Sequence, residues 1–97
     1  MFVRIHKLQV DPKYRQEIEE IEDFVSQWYV PEAGCRTVQF FGDPETGWYG
    51  NIAVWDSMEA IEALAQRPEL PEIVERVKKI MIDPPTTEIY PVYEPKS

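Results

Sequence analysis

Metal-ligating and redox-active residues are scarce in this sequence. It has one cysteine, Cys35, and one histidine, His6. A lone cysteine forms no intrachain disulfide, and together the two residues do not supply the ligand cluster of a zinc site. Glycine is also scarce, with 4 residues, and none belongs to a glycine-rich loop of the kind that cradles phosphates. We therefore expect no metal centre and no bound cofactor.

Basic residues are few, and long apolar runs are missing. Lys and Arg number 10 against 18 Asp and Glu, which gives a net charge of −8. An acidic surface repels phosphate groups, so the electrostatic attraction that drives non-specific binding to nucleic acids is absent. No apolar run approaches the roughly 20 residues that span a membrane, and the N-terminus lacks a signal-peptide pattern. The sequence predicts a cytoplasmic protein with no nucleic-acid or membrane partner.

The apolar residues that are present outline a single domain over residues 1–97. Hydrophobic residues make up 43% of the chain, which is enough for a core of its own. Runs of β-favouring residues, bounded by glycine or proline, are typical of strands. They predict four strands, at residues 2–10, 35–41, 48–55 and 86–93.

Apolar residues at spacings of three and four predict helices between these strands. Asp11-Pro12 begins the first helix, and Asp56 begins the second as the N-cap of a capping box with Glu59. A third helix starts near Pro71 and ends at Asp83-Pro84-Pro85. On the first helix the acidic side chains are expected to face water, namely Glu19, Glu22 and Asp23.

The order of elements predicts an α+β fold with a four-stranded antiparallel sheet. Right-handed crossovers place all helices on one face of the sheet, with the first and third strands at its centre. The last strand contains Pro91, which cannot donate a ladder hydrogen bond, and therefore lies at an edge. The second face stays uncovered in a monomer. A chain this small covers such a face best with a second copy, so we expect a homodimer.

Three segments carry a resemblance to a known family. They are the strand–helix junction VWDSMEA at 54–60, the turn PEAGC at 31–35 and the ending PP…IY at 84–90. Together they resemble the antibiotic biosynthesis monooxygenases, which belong to the dimeric α/β-barrel superfamily. The resemblance implies a ferredoxin-like βαββαβ fold and a dimer in which two sheets pack face to face.

Asn51 and Trp55 are the first candidate site residues. Strand alternation puts both on one face of the third strand, together with Tyr49. Family members that oxidise anthrone-type aromatics without metal or flavin have the same Asn-to-Trp spacing on this strand. The resemblance therefore implies that Asn51 and Trp55 bind a phenolic or quinone-like ring, with Tyr49 beside it. The alternative is structural, with Trp55 as a core anchor and Asn51 as a hydrogen-bonding core residue.

His6 and Arg4 are the second pair of candidates, on one face of the first strand. A histidine is the side chain whose usual pKa suits proton transfer near neutral pH, so His6 is a candidate catalytic base. Arg4 is a candidate for holding an anionic group of the substrate. The alternative is that His6 is a solvated or interface side chain and that Arg4 pairs with a carboxylate.

A haem-degrading activity is disfavoured by the same comparison. Superfamily members with that activity carry an Asn on the first strand, a Trp on the helix after the Trp-x-Ser motif and a His beyond it. The corresponding positions here are His6, Ala63 and approximately Ile73. Without the last histidine the proximal iron ligand is missing.

Two functional hypotheses follow. In the first, the protein is a cofactor-independent monooxygenase that acts on a small aromatic or quinol-type substrate. In the second, it is a non-enzymatic homodimer that binds a small aromatic ligand or has a structural role. A cavity between sheet and helices with convergent polar groups favours the first. A cavity filled by the large side chains of the helices favours the second.

Overall fold

The computed structural model describes residues 1–96, so only Ser97 of the predicted domain lies outside the described part. The predicted order of elements is confirmed. Within residues 1–96 there are four strands and three α-helices, in the order β1 (Phe2–Val10), α1 (Arg15–Ser26), β2 (Cys35–Asp43), β3 (Trp48–Trp55), α2 (Met58–Ala65), α3 (Leu70–Lys78) and β4 (Met81–Pro91). Short 3-10 helices precede α1 and β2, at Pro12–Tyr14 and Pro31–Ala33.

The sheet is antiparallel with strand order β2-β3-β1-β4, so the predicted central position of β1 and β3 is confirmed. Strand β4 pairs only with β1 and forms the edge that Pro91 indicated. In the register of the two central strands, Arg4 lies opposite Ala53 and His6 lies opposite Asn51. On its other side His6 is paired with Thr87 of β4. This register decides which side chains meet above the sheet.

The two faces of the sheet differ in exposure, as strand alternation requires. On β3 the alternate residues Tyr49, Asn51, Ala53 and Trp55 are buried beneath the helices. The opposite face of the sheet, here called the open sheet face, carries large exposed side chains. Its principal members are 38–49% exposed, namely Phe41, Trp48, Ile52 and Tyr90.

The start of α2 differs from the predicted capping box. Ser57 is the N-cap, and its hydroxyl accepts a hydrogen bond from the Ala60 backbone N–H at 3.2 Å. Asp56 follows the last residue of β3, and its N–H donates to the Gly34 carbonyl at 2.8 Å. Its carboxylate is paired with Arg36 and does not cap the helix. The predicted N-cap was one residue early because the Ser57 hydroxyl takes that role.

The start of β4 also differs from the prediction. The strand begins at Met81, so Asp83-Pro84-Pro85 lies inside it and does not end the third helix, which stops at Lys78. The pairing with β1 shifts register between Lys7 and Gln9, next to these prolines. Proline is tolerated at an edge strand or a bulge because no partner strand needs its missing N–H.

Gly47 closes the turn between β2 and β3, and we expect Gly47→Ala to destabilise the protein by about 3 kcal/mol. Its φ is 84°, and a Cβ at this position would lie 1.9 Å from the Val10 carbonyl oxygen. The Val10 N–H also donates to the Gly47 carbonyl at 2.9 Å, so the backbone cannot move away freely. Urea unfolding measures the loss. Glu45→Ala, an exposed position in the same turn, should change stability little.

Candidate functional site

A cavity of about 330 Å³ lies between the helices and the covered face of the sheet. We call it the central cavity. Most of its wall is aliphatic, with side chains from all three helices such as Ile21, Ile61 and Ile73. Seven residues with polar side-chain atoms interrupt this wall: Arg4, His6, Glu22, Trp28, Tyr29, Asn51 and Glu62. An apolar cavity with a few convergent polar groups is the usual form of a small-molecule site.

Three of the predicted site residues meet in this cavity. Arg4 and His6 alternate on β1, and the antiparallel register sets Asn51 of β3 directly beside His6. Strand alternation aims all three side chains toward the helices. The sheet therefore contributes an arginine, a histidine and an amide to one patch of the cavity floor.

Tyr29 joins two of these residues and was missed in the sequence. Its hydroxyl oxygen accepts hydrogen bonds from Arg4 Nη1 at 3.1 Å and from Asn51 Nδ2 at 3.3 Å. With both acceptor positions used, the hydroxyl proton of Tyr29 is left to donate elsewhere. Tyr29 follows α1 in a loop, where neither helical nor strand periodicity applies. No sequence signal pointed to it.

The amide of Asn51 is only partly satisfied. Asn51 is 1% exposed, and its Oδ1 accepts no hydrogen bond from any described residue. An enclosed acceptor without a donor costs about 1–3 kcal/mol. An aliphatic residue at a purely structural position would avoid this cost. Asn51 therefore presents an unpaired acceptor at the floor of the central cavity.

His6 is an uncharged imidazole at neutral pH. Burial, and after it the nearby positive charge of Arg4, lowers the pKa of His6 from 6.5 to about 4. Its Nδ1 lies 2.8 Å from Thr87 Oγ1, which orients the ring toward β4. A base with so low a pKa holds a proton weakly at neutral pH. At neutral pH His6 is therefore better suited to form a hydrogen bond with a ligand than to take a proton from the ligand and keep it.

Glu22 lies in the central cavity, so the prediction that it faces water was wrong. Burial, and after it the adjacent charge of Asp23, raises the pKa of Glu22 from 4.5 to about 7. The sequence did contain a signal, because Glu22 stands four residues after Ile18 and three before Val25. These spacings place it on the buried side of α1.

Trp55 and Tyr49 lie outside the lining of the central cavity. Trp55 is fully buried, and its ring packs against that of Tyr29 with a centroid distance of 5.4 Å. Tyr49 donates a hydrogen bond to Glu19 at 2.7 Å. Burial, followed by this bond, raises the pKa of Tyr49 to about 12. Trp55 therefore does not line the cavity itself. It packs against the ring of Tyr29, which does.

The raised pKa of Glu22 predicts that the free energy of unfolding of the protein depends on pH. The Glu22 carboxyl is easier to ionise in the unfolded chain, so the wild type should lose stability as the pH rises from 4.5 to 7. Glu22→Gln has no such group and should be more stable than the wild type at pH 8 by about 2 kcal/mol, after a discount for partial exposure. At pH 4 the two should be equal. Urea unfolding at both pH values measures this.

The matched control is Glu20→Gln, because Glu20 is an exposed carboxylate on the same helix. Its effect on stability should be small and similar at both pH values. Equal stability of wild type and Glu22→Gln at pH 8 would contradict a raised pKa at this site.

No group of three or more His, Cys, Asp or Glu side chains within residues 1–96 is arranged to hold a metal ion. None of the helices in that same range has the length and apolar character needed to cross a membrane.

Solved structures resemble this chain closely in fold. A crystal structure of an antibiotic biosynthesis monooxygenase superposes with a TM-score of 0.83 at 14% identity, over 97% of this chain and 100% of that one. Rv0793 from Mycobacterium tuberculosis gives 0.82 at 16% identity, over 99% and 98% of the two chains. SnoaB, a cofactor-independent oxygenase from Streptomyces nogalater, gives 0.73 at 13% identity, over 97% and 94%.

These likenesses are seen in the structure and not in the sequence. No protein-family model and no curated protein sequence matches the chain. At identities below 20% the structural likeness establishes the fold. The chain has the ferredoxin-like α+β fold of the antibiotic biosynthesis monooxygenases.

Proposed function

We propose that the protein is a cofactor-independent monooxygenase that binds a small hydroxylated aromatic in the central cavity. The observation that carries the proposal is the polar network on the cavity floor, where Arg4 and Asn51 both donate to the Tyr29 hydroxyl. The aliphatic wall suits an aromatic ring, and the network suits an oxygen atom attached to it. The likeness to SnoaB, a cofactor-independent oxygenase, supports the same reaction class.

The chemistry requires an electron-rich aromatic anion. Loss of a proton from a ring hydroxyl gives an anion that transfers electrons to dioxygen. The positive charge of Arg4 and the free hydroxyl proton of Tyr29 stabilise negative charge on the ring oxygen as it develops. A ring methylene then becomes a carbonyl with the loss of four electrons, which reduce one dioxygen. One oxygen atom enters the ring, and the other leaves as water with the two methylene hydrogens.

Oxygen uptake tests this proposal. Purified protein, with no added metal or flavin, is supplied with 1,8-dihydroxyanthrone and a panel of hydroquinones. We expect uptake with the anthrone, and incorporation of a single labelled atom from ¹⁸O₂ into the product. Tyr29→Phe keeps the ring but removes the hydroxyl, and should lower kcat/KM about tenfold, the effect of one lost hydrogen bond.

The same experiment separates the two functional hypotheses. Binding of the anthrone without oxygen uptake would leave the non-enzymatic ligand-binding hypothesis, which the cavity supports equally. Absence of both binding and uptake across the panel would contradict any ligand-binding role for the central cavity.

We also propose that two copies of the chain pair through the open sheet face. That face exposes aromatic and aliphatic side chains, including Trp48, Ile52 and Tyr90. Helices cover only the other face, so a monomer leaves these side chains in water. A two-fold axis would bring identical faces together. Light scattering at micromolar concentration should give twice 11.4 kDa. The mass of one chain would contradict the proposal.

A further inference from the structure

We propose that Glu22 is the general base of the central cavity and takes the hydroxyl proton of the bound aromatic. This inference rests on the proposed function and assigns the proton acceptor within it. In the step, the O–H bond of the phenol breaks and an O–H bond forms on the Glu22 carboxylate. The ring oxygen keeps the electron pair as a phenolate beside Arg4. No oxidant takes part in this step.

The position of Glu22 suits the role. Its side chain lines the central cavity from α1, between the cavity-lining residues Ile21 and Val25. Arg4 and His6 line the same cavity from β1 of the sheet. The proposal places one hydroxyl of the bound ring between these two walls, with the Glu22 carboxylate on the side of α1 and the arginine network on the side of the sheet. This places the proton acceptor and the anion-stabilising groups around one ligand.

Glu22 is also free to accept a proton, unlike Glu17, Glu19 and Glu20 on the same helix. Arg76 pairs with Glu17 at 2.9 Å and with Glu20 at 3.8 Å. Glu19 is bound by Arg15 and by the Tyr49 hydroxyl. Glu22 has no hydrogen bond or ion pair with any residue in 1–96. A half-buried carboxylate with no partner lowers the stability of the folded protein. A purely structural role therefore does not explain an acidic residue at position 22.

The charges around Glu22 favour a proton acceptor near neutral pH. Its pKa of about 7 matches the requirement that a general base hold a proton neither too weakly nor too strongly. His6, with a pKa of about 4, meets this requirement less well. Glu22 borders the central cavity and also an adjoining groove on the surface. The other titratable or charged residues of the cavity are Arg4, His6, Tyr29 and Glu62. Those of the groove are Arg15, Glu19, Asp23 and Tyr49.

The pH dependence of oxygen uptake tests the assignment. With 1,8-dihydroxyanthrone, kcat/KM of the wild type should rise as the pH passes through about 7 and then level off. Glu22→Gln should lower kcat about 100-fold at pH 8 with little change in KM, and its profile should lack that rise. Glu20→Gln removes an exposed carboxylate from the same helix and should match the wild type.

An inert anion provides a readout that does not depend on turnover. Benzoate stays ionised between pH 6 and pH 8 and has no hydroxyl proton to give. Its affinity for the wild type should fall about tenfold over that range as Glu22 gains charge, by the like-charge repulsion expected at short distance. Its affinity for Glu22→Gln should stay constant. Tryptophan fluorescence or calorimetry measures the binding.

The outcomes are distinct. Uptake by Glu22→Gln with the wild-type rate and pH profile would overturn the assignment of Glu22 and leave the monooxygenase proposal standing. Absence of uptake by the wild type itself, with benzoate bound in the cavity, would overturn the monooxygenase proposal and the role of Glu22 together. Loss of both the rate and the pH dependence in the variant alone would support Glu22 as the base.

Discussion

Ile52→Asp should convert the proposed dimer into a monomer of 11.4 kDa. Ile52 is 46% exposed on the central strand β3, where it lies between Ile5 of β1 and Gln39 of β2. In a two-fold dimer each substitution counts twice, so two carboxylates would be buried close together at the interface. A buried charge without a partner costs several kcal/mol, which is enough to cancel the free energy of association of an ordinary dimer interface. Analytical ultracentrifugation at micromolar concentration measures the mass.

Val74→Asp is the matched control for this substitution. Val74 is 40% exposed on α3, on the helical side of the molecule, away from the open sheet face. It introduces the same charge at a similarly exposed aliphatic position, and the dimer should survive it. Dissociation by both variants would point to general destabilisation. Dissociation by neither would contradict pairing through the open sheet face.

The central strands could be predicted from the sequence to the residue, because their signals are local. The boundaries 2–10 and 48–55 match β1 and β3 exactly as the structure has them. Both strands are runs rich in apolar and β-favouring residues without proline, and turn-forming residues bound β3 on its N-terminal side. The start of β4 was missed because prolines are tolerated there only through its edge position and the shifted pairing with β1. Such pairing between distant segments leaves no local pattern.

The candidate site divides in the same way. Alternation could place Arg4 with His6 on one face of β1 and Asn51 with Trp55 on one face of β3, but that Arg4, His6 and Asn51 meet in one cavity follows from the pairing of the two strands. Tyr29 could not be placed from the sequence, because it lies in a loop whose path depends on how α1 docks on the sheet. The low pKa of His6 was equally out of reach, since it arises from burial and from the charge of Arg4. Both depend on packing, which the sequence does not display.

Asn51→Leu is the second variant for which we expect a large effect, and it separates binding from stability. Leucine has the same branched skeleton as asparagine with bulkier methyl groups, so the substitution leaves no new cavity at this fully buried position, and the adjoining central cavity gives the methyl groups room. It removes the hydrogen bond to Tyr29 at 3.3 Å, but also the unpaired Oδ1. The two effects oppose each other, so the free energy of unfolding should change by less than about 1 kcal/mol.

Ligand binding should respond much more strongly. A hydroxylated aromatic that reaches the amide gives Oδ1 its missing donor, and loss of that bond costs about 1–3 kcal/mol, or roughly 5- to 150-fold in affinity. The probe is 1-naphthol, and naphthalene, which lacks the hydroxyl, is its matched control. Asn51→Leu should weaken binding of 1-naphthol and leave binding of naphthalene unchanged. Calorimetric titration measures both affinities.

Thermal melting with and without ligand completes the test of Asn51. A bound ligand raises the melting temperature according to its affinity, so 1-naphthol should stabilise the wild type more than Asn51→Leu. If Asn51 is instead a structural core residue, the variant melts at a lower temperature without ligand, and 1-naphthol stabilises both proteins equally. That result would remove Asn51 from the site. The cavity floor would then keep Arg4, His6 and Tyr29 as the groups that hold the ring oxygen.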